Sequence, residues 1–102
     1  MTNKLLQIHF DFNGPFGDNM SDQLVALAES INQEPGFLWK VWTENAQALE
    51  AGGVYLFDCE ANAQRYMNKH MERLKQFGAT NITVKLFDVN APLTRLNYGQ
   101  VE

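Results

Sequence analysis

Two histidines, one cysteine and a dense aromatic complement are the residues of this chain with chemistry to offer. His9 stands in the run Gln7-Ile8-His9-Phe10-Asp11 and shares its parity with Gln7 and Asp11. Imidazole titrates near neutral pH, so His9 is a candidate general base. The plainer alternative is a histidine hydrogen-bonded within a sheet or at an interface, because buried polar groups normally have partners. His70 interrupts an apolar helical stripe, Ala63, Tyr66, Met67, Leu74 and Phe77. It is either a base, acid or haem ligand facing a cavity, or a satisfied core histidine. Trp39, Trp42 and Tyr55 are candidate walls for a flat aromatic ligand, against the alternative of core and interface packing. Trp39 and Trp42 are three residues apart in an extended run, so they point to opposite faces and only one can line a given cavity. Cys59 precedes a helix, where a thiol is acidified, but a small residue at a strand end is the simpler account. Arg73 is placed to meet an anionic substrate or to be a solvated charge on a helix flank. Gly14-Pro15-Phe16-Gly17 is too short for a phosphate loop and reads as a turn at a pocket rim.

Those residues must be held by a small number of elements. Leu6, Ile8, Phe10 and Phe12 alternate with a more polar set, which predicts a first strand over residues 4–12. Met20, Leu24, Leu27 and Ile31 have helical spacing, with Asp18 as the expected N-cap and Glu34-Pro35-Gly36 as the stop. Two strands follow, Phe37–Trp42 and Gly53–Phe57, joined by more than a two-residue turn. Gly52-Gly53 suggests a bulge or a close backbone approach. Asp58 is the expected cap of a second helix that carries His70 and stops at Gly78. Asn81–Asp88 alternates as a fourth strand, and residues 89–102 read as a tail with apolar handles at Leu93, Leu96 and Tyr98. The order β-α-β-β-α-β predicts an α+β, ferredoxin-like single domain over residues 1–102: a four-stranded antiparallel sheet with two helices on one face.

The strand Phe37–Trp42 is apolar at both parities. A sheet with one wet face should alternate. Two helices cover one face, so the other is expected to meet a second copy in a homodimer.

Composition excludes several classes. The chain is 45% hydrophobic and 12% aromatic, enough for a core in one domain of 102 residues. A net charge of −4 argues against nucleic acid, and the third strand lacks the basic residue of an RNA-recognition domain. No apolar run approaches a membrane helix, and Met1–Leu5 shows no signal-peptide core. A lone cysteine makes no disulfide framework and no zinc spacing, and a metallochaperone's paired cysteines are missing from the first loop. No metal site is expected, and a cytoplasmic protein is the reading.

Several runs resemble a known family. They are Leu5–Phe10, Phe12-Asn13-Gly14-Pro15-Phe16-Gly17-Asp18, Ala28–Thr43, Glu50–Gly53 with Tyr55-Leu56-Phe57, and Phe87–Asn90 with Pro92-Leu93. Together they resemble the small bacterial YdhR family of putative mono-oxygenases, within the dimeric α/β-barrel group, over nearly the whole chain. The resemblance implies a cofactor-independent mono-oxygenase that uses O2 on a small aromatic substrate, phenolic or quinol-like. Such an enzyme needs a base, a dry aromatic pocket and donors for developing charge. His9 or His70 would be the base, Trp39, Tyr55 and Phe57 the walls, and Tyr55 or Gln7 a donor. Two other readings use the same fold: a non-catalytic small-ligand-binding or regulatory protein, and a haem-handling or isomerase relative using His70.

Overall fold

The structure, a computed structural model, describes residues 3–102. Its elements are β1 (Lys4–Asp11), α1 (Gly17–Ile31), β2 (Phe37–Asn45), β3 (Glu50–Phe57), α2 (Glu60–Gln76), β4 (Thr80–Asp88) and α3 (Ala91–Leu96). The first six follow the order expected from periodicity. The four strands make one antiparallel sheet in the order β2-β3-β1-β4.

The sheet has two distinct faces. Cross-strand partners share a face, so the register assigns each side chain. Leu6 pairs with Tyr55 and Leu86, and Ile8 with Gly53 and Val84. These residues lie under α1 and α2 and form the core with Phe57, Ile31, Ala63, Tyr66, Leu74 and Ala79. The opposite, open face carries Gln7 and His9 of β1, Val54 and Leu56 of β3, Trp39, Val41 and Thr43 of β2, and Thr83, Lys85 and Phe87 of β4.

A bulge explains why β2 does not alternate. Phe37 pairs with Phe57, yet Trp39 pairs with Leu56, so Leu38 is the extra residue. One extra residue moves all that follow to the other face. Phe37 therefore shares the helix side with Lys40, Trp42 and Glu44, while Trp39 and Val41 face the open side. The break is at Leu38, and Gly52-Gly53 supplies the close approach instead. A Cβ on Gly52 would sit 2.1 Å from the Ile8 carbonyl oxygen, and one on Gly53 would sit 2.6 Å from Lys40 Cε.

The helix ends depart from the expected caps. Asp18 lies inside the first turn of α1, where its charge still suits the helix dipole. The Gly17 amide instead donates to Glu44 Oε1 of β2 at 2.7 Å, a partner distant in sequence. Asp58 does not cap α2; Cys59 is the N-cap residue, and Asp58 accepts from the Asn62 side chain at 2.8 Å. Gly78, with φ of 86°, does terminate α2. The expected structureless tail contains α3, whose first turn is capped by Asn90 accepting from the Leu93 amide and started by Pro92. Six residues are too few to show a period in the sequence. The final residues dock at the open face. Trp39 Nε1 donates to the Gln100 carbonyl at 3.2 Å, Asn3 donates to the Val101 carbonyl, and Val101 is buried. Leu93, Leu96 and Tyr98, expected as the docking handles, are exposed.

Candidate functional site

A cavity of about 280 Å³ lies between the helices and the sheet. Its floor is Phe10, Ala51, Tyr55 and Trp42 of the sheet, α1 contributes Met20, Leu24 and Leu27, and α2 contributes His70, Leu74 and Phe77. Gly14 and Pro15 stand at its rim, as the turn in the sequence suggested. The size is near the lower end of small-ligand cavities, roughly 300 Å³. A wider groove of about 630 Å³ runs outside it between α1 and the edge strand β2. Met20, Leu24, Lys40 and Trp42 line both spaces.

Of the six residues singled out from the sequence, the cavity receives two. His70 and Tyr55 line it. Phe57 is 0% exposed and packs on Phe37, Tyr55 and Tyr66 with ring centroids 5.9, 6.3 and 5.4 Å away. It is core, not wall, because it sits at the closed end of the sheet, under Ala63 and Tyr66. Trp39 lies on the open face through the bulge at Leu38, and its partner Trp42 is the tryptophan of the cavity. His9 and Gln7 are also on the open face, with Gln7 Nε2 3.2 Å from His9 Nδ1. His9 borders only a shallow hollow with Thr43, Glu44, Asn45, Glu50 and Ala51. The two histidines therefore do not share a site.

His70 is held in one tautomer. Arg73, three residues further along α2, donates from Nε to His70 Nδ1 at 3.3 Å. Guanidinium only donates, so Nδ1 accepts and the ring proton resides on Nε2. Burial, then the nearby Lys40 and Arg73 charges, lowers the His70 pKa to about 3. The imidazole is thus neutral at physiological pH and presents an N–H. Its ring stacks on Tyr66 at 5.0 Å and meets Tyr55 edge-on at 6.3 Å. The Tyr66 hydroxyl donates to that of Tyr55 at 3.3 Å. Burial raises both phenols, Tyr66 to about 12 and Tyr55 further, so neither ionises at neutral pH.

Lys40 is the residue that sequence reasoning missed. It sits directly across from Tyr55 in the β2–β3 register. Its ammonium group lies 3.2 Å from the Trp42 ring centroid and 4.6 Å from that of Tyr55. The absent side chain of Gly53 gives its stem room. Burial, assisted by the Arg73 charge, lowers its pKa to about 7. The one signal in the sequence was a lysine next to a tryptophan at i+2, opposite a glycine pair; neither tells which face the lysine takes. Among the described residues no group of three His, Cys, Asp or Glu side chains is placed to hold a metal ion. No helix among them is long and apolar enough to cross a membrane.

A four-stranded antiparallel sheet under two helices, hollowed at one end to a ligand-sized cavity, defines a ferredoxin-like α/β protein. Solved structures share that fold. A putative antibiotic biosynthesis monooxygenase from Deinococcus radiodurans superimposes with a TM-score of 0.63 at 14% identity, over 85% of this chain and 92% of that one. A protein of unknown function from Nitrosomonas europaea does so with a TM-score of 0.62 at 16% identity, over 88% and 91%. These likenesses are of fold. No curated protein matches the chain. Over residues 5–100 the sequence matches the family described as putative mono-oxygenase ydhR, and the chain belongs to that family.

Proposed function

We propose that this protein is a mono-oxygenase that draws a small aromatic substrate, phenolic or quinol-like, into the helix–sheet cavity and oxidises it with O2 and no cofactor. The observation that carries this reading is the cavity itself. It is walled by Phe10, Trp42, Tyr55 and Phe77, it holds two nitrogen groups, His70 and Lys40, and it lies in a member of a family so described. An electron-rich phenolate or carbanion can pass an electron to oxygen without a metal or flavin. For an anthrone-type substrate the balance closes: the ring CH2 and one O2 give a ring C=O and one water. The protein's part is to exclude water and stabilise the substrate anion.

The active unit in this reading is a cytoplasmic homodimer joined through the open face of the sheet. That face and the α3 segment expose Val41 (53%), Phe87 (43%), Leu93 (59%), Leu96 (72%) and Tyr98 (93%) to solvent in the single chain. Apolar exposure of this kind supports a partner surface. A stable pair needs roughly 1,600 Å² in total.

The test is oxygen uptake with anthrones and hydroquinones, in the presence of a strong metal chelator. One O2 consumed per ketone formed is the expected result. Tight binding of these compounds with no oxygen uptake would replace the enzyme by a non-catalytic ligand-binding protein.

A further inference from the structure

The distribution of positive charge in this molecule is inverted. Of its eight lysines and arginines, Lys4, Lys69, Lys75 and Arg95 pair with carboxylates. Arg65 and Lys85 are exposed and solvated. Lys40 and Arg73 are half-buried, and neither is paired with a carboxylate among the described residues. Withdrawn cations are ordinarily the paired ones, because an uncompensated buried charge costs several kcal/mol. Here Lys40 has only the faces of Trp42 and Tyr55, while Arg73 Nη2 is buried with no hydrogen-bond partner.

The charged and titratable groups around Lys40 are few. From α2 they are His70, Tyr66 and Arg73, and from β3 Tyr55. The part of α1 that lines the cavity is Met20, Gln23, Leu24 and Leu27, with no ionisable group. Glu29 and Glu44 line the outer groove, and the Glu44 carboxylate is engaged by the Gly17 amide. Glu34, the acid nearest Tyr66, is held by Lys69 at 2.7 Å. The cavity thus has one amine, Lys40, and an imidazole N–H, with the Arg73 charge behind the imidazole and no anion of its own.

We propose that this cavity takes an acidic aromatic ligand, a phenol or enol, as its anion: Lys40 Nζ accepts the ligand's O–H proton, and the resulting oxyanion is held between the Lys40 ammonium and the His70 Nε2–H. The proton moves from ligand oxygen to lysine nitrogen, the O–H bond breaks as the N–H bond forms, and no electrons change owner. Arg73 is a positioning residue. It fixes the His70 tautomer through Nδ1 and adds positive charge behind the ring. The ion pair created by the transfer supplies Lys40 with the counter-charge that the chain withholds. A lysine depressed to about 7 is suited to this exchange, since it is substantially unprotonated at neutral pH. The inference rests on the cavity being a ligand site but not on oxygen chemistry, so it can hold if no oxidation occurs.

The probe is 4-nitrophenol, which turns yellow on ionisation, read by absorbance with the full chain in excess. Wild type should lower the apparent pKa of the bound phenol by at least one pH unit, an anion preference of tenfold or more. Lys40→Met should abolish that preference. Arg73→Met should reduce it severalfold and Arg73→Lys should restore part of it, an order that a merely structural arginine would not produce. Arg65→Met, which removes an exposed charge from the same helix, should match wild type. 4-Nitroanisole, the uncharged analogue, should bind wild type and Lys40→Met alike. If Lys40→Met does not fold, the direction of the wild-type shift decides. A bound nitrophenol with an unchanged or raised pKa, or no nitrophenol binding at millimolar concentration, overturns the oxyanion seat. If anthrone is oxidised while nitrophenol shows no shift, the seat fails and the oxygenase stands. The reverse pair of results does the opposite.

Discussion

Replacing Lys40 by methionine should make the protein more stable at neutral pH and erase part of its pH dependence. In the fold the Lys40 ammonium titrates at about 7, against 10.5 for a free lysine. Between those values the unfolded chain binds a proton that the folded chain does not. Stability therefore rises with pH through this window, by up to about 1.4 kcal/mol per pH unit. Integrated from pH 7 to pH 9, this amounts to about 2 kcal/mol, or roughly 10 °C in Tm for a domain of this size. The window closes near pH 10. There the unfolded tyrosines ionise while Tyr66, raised to about 12, and Tyr55, raised further, stay protonated in the fold, so stability falls again. Methionine fills a similar volume with no proton to lose. The assay is urea unfolding of both proteins at half-unit steps from pH 6 to 9.5, taking the difference between the two curves so that all other titrating groups cancel. The variant should be the more stable at pH 7, and its lead should shrink by about 2 kcal/mol between pH 7 and pH 9. Parallel curves would refute the argument, since they would mean that Lys40 keeps an ordinary solvated ammonium.

On the acid side, His70 is neutral down to about pH 3 in the fold. Its contribution is intact above about pH 6.5 and is lost as pH falls from there toward 3, so His70→Phe should show a shallower acid limb in the same unfolding series. Phe57→Ala should cost about 3–5 kcal/mol, as for other fully buried phenylalanines, and lower ligand binding only in proportion to the unfolded fraction; a folded Phe57→Ala with selectively lost binding would return that ring to the cavity wall. Val41→Glu and Phe87→Glu, both on the open face, should shift the sedimentation profile at micromolar concentration from dimer to folded monomer; two variants that remain dimeric would move the interface elsewhere.

The architecture was legible because helix and strand periods are long-range patterns that survive local exceptions. Six elements and their order follow from the apolar spacing in the stretch from Leu6 to Leu86. The site was less legible, because it is made of residues whose local signals point elsewhere. Lys40 sits among Phe37, Leu38, Trp39, Val41 and Trp42, where a lysine reads as the solvated member of a strand. Only the register against Gly53 and Tyr55, and the arrival of α2 above, turn it inward. His70 was readable as an inward residue on the α2 stripe, but its tautomer depends on Arg73, which read as a flank charge. That His9 lies away from the His70 cavity was not legible, because parity along β1 says which residues share a face, not which face the helices cover. The caps misled for a related reason. Asp18 and Asp58 satisfy the local rule, yet the free amide of Gly17 found Glu44, a partner 27 positions away that no local rule can see.

The extra residue at Leu38 also determines how this lineage can change. Because everything after it in β2 is out of phase with what precedes it, pairing Leu38 into the ladder opposite Leu56, with no residue left out, would not merely straighten the strand. It would exchange two inventories. Lys40 and Trp42 would leave for the outer surface, and Trp39, Val41 and Thr43 would turn inward, giving a cavity with an indole and no amine. The proposed acidic-ligand site and the proposed self-association face are therefore written in one strand with a shared phase, and a slip of that phase alters both at once.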